Sequence, residues 1–239
     1  MSATSRTTTF RRRFGAVSLV LAAVLFSIAE PLFPTSGNDP AAELAANAQH
    51  HGQLLAAIYC YLAASILFIP AFFALMHPVR GRGTVLTHLG GGMALLGNAL
   101  AGLALTGLQL VMYEASSAGV DRAPLVPFIQ HSMKDVALAP LPMGHYLFAI
   151  GILVLAIGLF RSGTGYRWAA ICLGLAPLLD SVAGSIADGI VVAVVTDALL
   201  VAGAAGFAWW QARTSNSAWE GEVSATTSAR IGAGETVAA

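Results

Sequence analysis

Residues 52–76 read GQLLAAIYCYLAASILFIPAFFALM, twenty-five positions without one acidic or basic side chain. About 20 mainly apolar residues are enough to cross the hydrocarbon core of a bilayer as a helix. The run is continuous instead of alternating, which excludes the strand pattern of a membrane barrel. Five further stretches repeat this character, at about 14–33, 85–113, 142–160, 168–187 and 189–210. The last two are parted only by Asp188 and its neighbours, so a tight helical hairpin is expected there. The expected fold is all-α: a polytopic transmembrane helical bundle of about six spans.

The composition agrees. The 239 residues hold 12 Lys+Arg and 12 Asp+Glu, 10% charged in all, against 56% in the hydrophobic set. Soluble domains carry about 25% charged residues, and this chain cannot supply the polar skin that a soluble globule needs. A soluble enzyme, a disordered protein and a cationic nucleic-acid binder are thereby excluded. With net charge zero, no global field draws nucleic acid or anionic substrates. Cys60 and Cys172 both fall inside apolar runs without a metal-type spacing, and read as small buried hydrophobes.

Arginine placement orients the spans. Arg6, Arg11, Arg12 and Arg13 precede the first; Arg80 and Arg82 lie between the second and third. Arg161 and Arg167 lie between the fourth and fifth, and Arg213 follows the sixth. Only Arg122 and Lys134 take the other side, so the positive-inside rule puts both termini in the cytoplasm of a bacterial cell. The expected domains are a basic N-terminus at 1–13, a membrane domain at 14–213 with outer loops at 34–51 and 115–141, and a disordered cytoplasmic tail at 214–239, rich in Ser, Thr, Ala and Gly.

The first outer loop should contain a short helix from Asp39-Pro40. In the second, Ile129, Met133 and Val136 recur at helical spacing between Pro127 and Pro140. They predict an amphipathic helix at the membrane surface, serving as a connector or as a lid over the bundle.

The ionisable residues within or at the ends of spans are Glu30, Glu114, Asp180, Asp188 and Asp197, all acidic, with no Lys or Arg inside any span. Such groups are costly in hydrocarbon and face the bundle interior. At about 1.5 Å per residue, Asp180 stands roughly 20 Å above the inner boundary, and His50, His51 and His145 begin spans two and four on the outer side. Asn98, Gly102, Thr106, Gln109 and Tyr113 follow steps of three and four and share one helix face, either as interhelical hydrogen bonding or as a lining for the same interior. Asp188 doubles as a helix cap. Small residues at Gly102, Gly107 and Gly184 allow close approach.

Three kinds of chemistry fit. A deep carboxyl without a counter-ion favours its neutral form, and in an apolar pocket it is a general acid. Asp180 is the expected acid, with Glu30, Glu114 and Asp197 as catalytic partners and His51 and His145 as final proton acceptors. Asn98, Thr106, Gln109, Tyr113, Tyr59 and Tyr146 are the expected substrate-binding residues, and aromatic faces, including Phe26, Phe33 and Tyr61, would stabilise a cation. Alternatively, acids and histidines at mid-depth serve a proton-coupled transporter or a binding protein without catalysis. A metal site is the third reading, although no pair has a diagnostic spacing. The acid-catalysis reading calls for no cofactor and no metal. Its partners are a lipophilic substrate and the lipid bilayer, with no nucleic acid.

In size, helix number and isolated acids such as Glu30 and Asp180-Ser181-Val182, the chain resembles the small integral-membrane terpene cyclases. Those are often described with seven spans, one more than here. The resemblance implies acid-initiated cyclisation of an isoprenoid. Arg-Arg-Phe-Gly-Ala-Val at 12–17 and Glu-Pro-Leu-Phe-Pro at 30–34 also resemble uncharacterised six-span actinobacterial membrane proteins, which implies a topology and no activity.

Overall fold

The computed structural model describes residues 3–34, 39–183 and 189–220. Every regular element among them is helical. In chain order they are α1 (Ala3–Ala29), α2 (Pro40–Gln49), α3 (His51–Met76), α4 (Thr84–Gly97), α5 (Thr106–Ala115), α6 (Leu125–Lys134), α7 (Pro140–Ser162), α8 (Arg167–Ala183), α9 (Gly189–Arg213) and α10 (Asn216–Glu220). A π-helical stretch, Asn98–Leu105, joins α4 to α5 without a break. Short 3-10 turns follow α1 (Glu30–Leu32) and α6 (Val136–Leu138).

Five helical stretches are long and apolar enough to cross a membrane: Arg6–Leu32, His51–Met76, Thr84–Ala115, Val136–Ser162 and Val191–Arg213. The remaining expected span, 168–187, overlaps α8, which is not among those five. Its 17 described residues rise only about 26 Å, and residues 184–188, which include Gly184 and Asp188, lie outside the described residues.

The long helices pair antiparallel: α1 with α3, α4 with α7, and α8 with α9, while α9 also packs on α1 and α8 on α7. The tightest seam is α4 on α7. Gly83, Gly90 and Gly97 face it from one side and Gly144, Gly151 and Gly158 from the other, each set at seven-residue intervals. A seven-residue step returns a side chain to nearly the same helix face, so each set forms one flat stripe. A Cβ on Gly97 would meet the Gly144 carbonyl at 2.7 Å, and one on Gly144 would meet the Ala101 amide at 2.8 Å. With no hydrophobic force between helices in lipid, such close approach supplies the dispersion contacts that hold them together. Beside this seam the core is apolar, built on Phe68, Phe72, Leu75, Ile152, Leu155, Leu173 and Phe207.

The helix starting at Asp39-Pro40 is present: the Asp39 carboxylate accepts from the Ala41 amide (3.1 Å) and so caps its N-terminus. The amphipathic helix expected at 127–140 is displaced. It begins at Leu125 and stops at Lys134, because Asp135 takes an extended conformation and caps the following turn through Ala137 N (2.9 Å). Val136 therefore leaves the apolar face and is 83% exposed.

The segment from Thr214 departs from the loose tail expected there. Helix α10 folds back onto the Arg-rich end of the bundle and buries Trp219 completely, against His77 at 4.2 Å between ring centroids. Glu220 accepts from Thr8 Oγ1 (2.9 Å) and His77 Nε2 (3.1 Å). Burial acts to raise the Glu220 carboxyl, but those hydrogen bonds and the charges of His77 and Arg11 outweigh it and hold it below its ordinary value. The remainder of the expected tail, 221–239, lies outside the described residues.

Candidate functional site

Helix register places the internal acids in one layer. Gln211 on α9 donates to the Ala74 carbonyl of α3 (3.2 Å), and Gly15 on α1 also abuts Ala74, so the three positions share a level near the Arg-rich end. From that level Tyr61 stands 13 residues along α3, Asp197 14 along α9 and Glu30 15 along α1. At about 1.5 Å per residue those are rises of roughly 20–22 Å. Five helical segments thus deliver Glu30, Tyr61, His145, Asp180 and Asp197 to one region, where Glu30 and Asp197 are half-buried and His145 and Asp180 are exposed on the protein surface. Glu30 lies within electrostatic range of Asp180 and Asp197, Asp180 within range of His145, and Tyr61 within range of Glu30 and Asp180.

The layer is polar and poorly satisfied. The Ser27 hydroxyl stands beside Asp197 in a geometry too loose for a closed hydrogen bond. Both Ser27 Oγ and Asp197 Oδ1 are buried without a partner, as is the neighbouring Thr196 hydroxyl. A buried polar atom left unpaired costs about 1–3 kcal/mol, which a water or a polar ligand group reaching these atoms would offset. On α8, Pro177 lies three residues before Asp180. A proline carries no N–H to complete the helical ladder, so the Leu173 carbonyl loses its usual partner and the helix can bend beside the acid.

Towards the Arg-rich end the layer rests on an aromatic floor. Phe26 packs on Tyr61 (5.2 Å between centroids), Phe68 (6.3 Å) and Phe148 (6.5 Å), and Phe33 meets Tyr61 edge-on at 6.0 Å. Phe68 and Phe72 both turn edges to Phe148, at 5.5 and 6.1 Å. Phe68, Phe72 and Phe148 were not among the expected site residues. Their spacing looks like ordinary core, and only the packing of α3 against α1 and α7 gathers them under the acids.

The other expected site residues lie elsewhere. Thr84–Ala115 runs 32 residues, about 48 Å, longer than a hydrocarbon core of about 30 Å. Glu114, on its last turn, is therefore carried beyond the acid layer and is exposed. His51 is engaged at the same far end. Its ring stacks on Tyr113 at 3.8 Å, and Nε2 donates to the Tyr113 carbonyl (3.1 Å) with Ser117 Oγ at 3.2 Å. Tyr59 and Tyr146 are 58% and 67% exposed on the bundle perimeter; Tyr59 sits about 200° around α3 from Tyr61.

The polar stripe of the third span divides. Asn98 Nδ2 donates to the Ser65 carbonyl (2.9 Å) and Thr106 Oγ1 to the Gly102 carbonyl (2.6 Å), both buried, so these two tie helix to helix and turn to turn. The Gly102 carbonyl lies within the π-helical stretch, whose widened turns disturb the normal ladder. Gln109 lines a separate cavity.

Among the described residues, no three of the His, Cys, Asp and Glu side chains come close enough to hold a metal ion. The ligand set of His50, His51, His145, Glu30, Glu114 and Asp180 is divided between the acid layer and the far end of α3 and α5. Comparison with protein families, curated proteins and solved structures finds no match.

Proposed function

We propose that the chain is an integral-membrane enzyme that acts on a lipophilic, isoprenoid-like substrate by carboxylic-acid general acid catalysis, as a terpene cyclase does. One observation carries the reading: three carboxyl groups from three helical segments, Glu30, Asp180 and Asp197, share a layer laid on an aromatic floor, and among the described residues His145 is the basic group within range of them. The reading has one of these neighbouring carboxyls carry the reacting proton, since a carboxyl facing other carboxyls and hydrocarbon favours its neutral form. Asp180 delivers that proton to an alkene carbon or epoxide oxygen of the substrate. For an alkene, the π pair forms the new C–H bond and a carbocation remains. The faces of Phe26, Phe148 and Tyr61 stabilise it until a second alkene closes the ring. The newly ionised Asp180 carboxylate takes the final proton, directly or from His145 after that ring has accepted it, so the reaction is an isomerisation that returns the site to its starting state.

The same proposal takes the chain as a six-span protein of a bacterial cytoplasmic membrane, with both termini inside. The support is the gathering of Arg6, Arg11, Arg12, Arg13, Arg80, Arg82, Arg161, Arg167 and Arg213 at one end of the bundle. An apolar substrate then enters from the lipid. Transport coupled to protons would need a polar route from the acid layer to the Arg-rich end. The interior between them is dominated by Ala22, Ala23, Ala71, Phe72, Leu75, Ala204 and Phe207, all buried, which disfavours that reading.

The test is turnover of a panel of linear isoprenoid polyenes and their epoxides by purified protein in nanodiscs. Wild type forms cyclised product without a pH gradient, whereas Asp180→Asn, with an unchanged melting temperature, loses at least a hundredfold in rate. Full activity of Asp180→Asn, or solute flux in sealed vesicles that depends on a pH gradient, overturns the proposal.

A further inference from the structure

A second site lies beyond the acid layer, at the far end of the bundle from the arginines. There α2, α5, α6, the 3-10 turn Val136–Leu138 and the start of α7 line a half-open cavity of about 390 Å³, a size that suits a small-molecule site. Its walls are mostly apolar, with Leu105, Leu108, Met112, Ile129 and Leu141 among them. Three polar side chains interrupt them: Glu43 from α2, Gln109 from α5 and Asp135 from the end of α6. No Lys, Arg or His lines the cavity.

We infer that this cavity binds a lipophilic ammonium compound, its hydrocarbon chain among the leucines and its protonated amine between Glu43 and Asp135. The charge pattern selects the headgroup. Asp135, exposed at the cavity mouth, spends one oxygen capping Ala137 N (2.9 Å), which leaves the other for a ligand. The Glu43 carboxylate has no hydrogen bond or ion pair from the described residues, although α2 packs on α5 and α6. Burial alone pushes its carboxyl above the ordinary value, so an arriving ammonium supplies the counter-charge the fold omits. A fatty acid would bring a third carboxylate to the same place, and a neutral alcohol gains only a hydrogen bond. Gln109 offers both an amide donor and an acceptor beside them. The inference does not depend on the chemistry of the acid layer.

The test uses the full chain in nanodiscs and three probes of equal length: decylamine, decanol and decanoate, measured as binding above that of empty nanodiscs. Decylamine is expected to bind at least tenfold tighter than decanol, and decanoate more weakly than either. Glu43→Gln and Asp135→Asn should each weaken decylamine at least fivefold and leave decanol unchanged. Leu108→Trp, at a position 40% exposed and so tolerant of bulk, should fill the cavity and abolish both while melting as wild type. Decanoate binding as well as decylamine, or decylamine affinity indifferent to both acid substitutions, overturns the inference. Turnover by the acid layer is read separately, with Asp180→Asn, so either site can fail without the other.

Discussion

Gly151→Ala puts a methyl group where the facing helix already has main chain. A Cβ at this position would lie 2.8 Å from Ala94 Cα and 2.8 Å from the Met93 carbonyl carbon. Carbon atoms settle at about 3.5–4.0 Å, so α4 and α7 must part by about 1 Å. Neither obstacle is a side chain that can rotate away, and the neighbouring glycine contacts along the seam loosen with the same movement. Overpacking of this kind costs about 1–3 kcal/mol. Alanine also gains about 1 kcal/mol over glycine in helix propensity, which would mask part of the loss. Gly92→Ala is the control: it lies on the same helix as Gly90, and a Cβ there meets nothing within 4 Å. Propensity cancels between the two variants, so their difference, about 1–3 kcal/mol, isolates the seam. In a chain of this length that is a gap on the order of several degrees in melting temperature. The assay is thermal unfolding in mild detergent, followed by a thiol-reactive fluorophore on the half-buried Cys60 and Cys172. If Gly151→Ala and Gly92→Ala melt together, the seam does not hold α4 on α7.

Two further outcomes concern pH. The Glu220 carboxyl is held below its ordinary value, so the stability it contributes is present above the unfolded value and is lost as pH falls through the folded one. Trp219 emission should therefore shift to the red as the buffer is acidified below the usual carboxylate range, and Glu220→Gln should show that shift already at neutral pH; a spectrum unchanged in both denies that this contact holds α10. Glu43 has the opposite sign. Its raised value means the fold favours the protonated form, so its contribution is complete below the unfolded value and fades as pH rises through the folded one. Without an amine ligand, Glu43→Gln should raise the melting temperature at neutral pH and leave it unchanged in acid, and an equal effect at both would refute the assignment.

Much of the architecture was legible in the chain because hydrocarbon imposes a local rule. The run at 52–76 became α3, from His51 to Met76, and the third span followed its expected limits to within two residues. The cap at Asp39 was legible for a similar reason, since capping depends on neighbours in sequence. Residues whose partners lie on other helices were harder to read. Asn98 was recognisable as a polar position on an apolar face, but its acceptor is the Ser65 carbonyl of α3. Phe148 joins the aromatic floor only because α7 packs where it does. Glu114 looked like a member of the acid group because it closes an apolar run, yet the length of that run carries it past the layer. The glycines at 83, 90, 97, 144, 151 and 158 do carry a signal in sequence, their seven-residue interval, but the interval alone does not say which helix each stripe faces. Trp219 was unreadable: a single aromatic in a polar segment gives no period, and its burial depends on His77 of the α3–α4 connection.

The central claim is that a carboxyl proton of the acid layer starts the reaction, and deuterium tests it most directly. Purified protein exchanged into heavy water carries a deuteron on that carboxyl. When an alkene substrate cyclises, the product should hold one carbon-bound deuterium by mass spectrometry, and Asp180→Asn should form no product. Product that forms without carbon-bound deuterium, or forms equally well in Asp180→Asn, would contradict the claim.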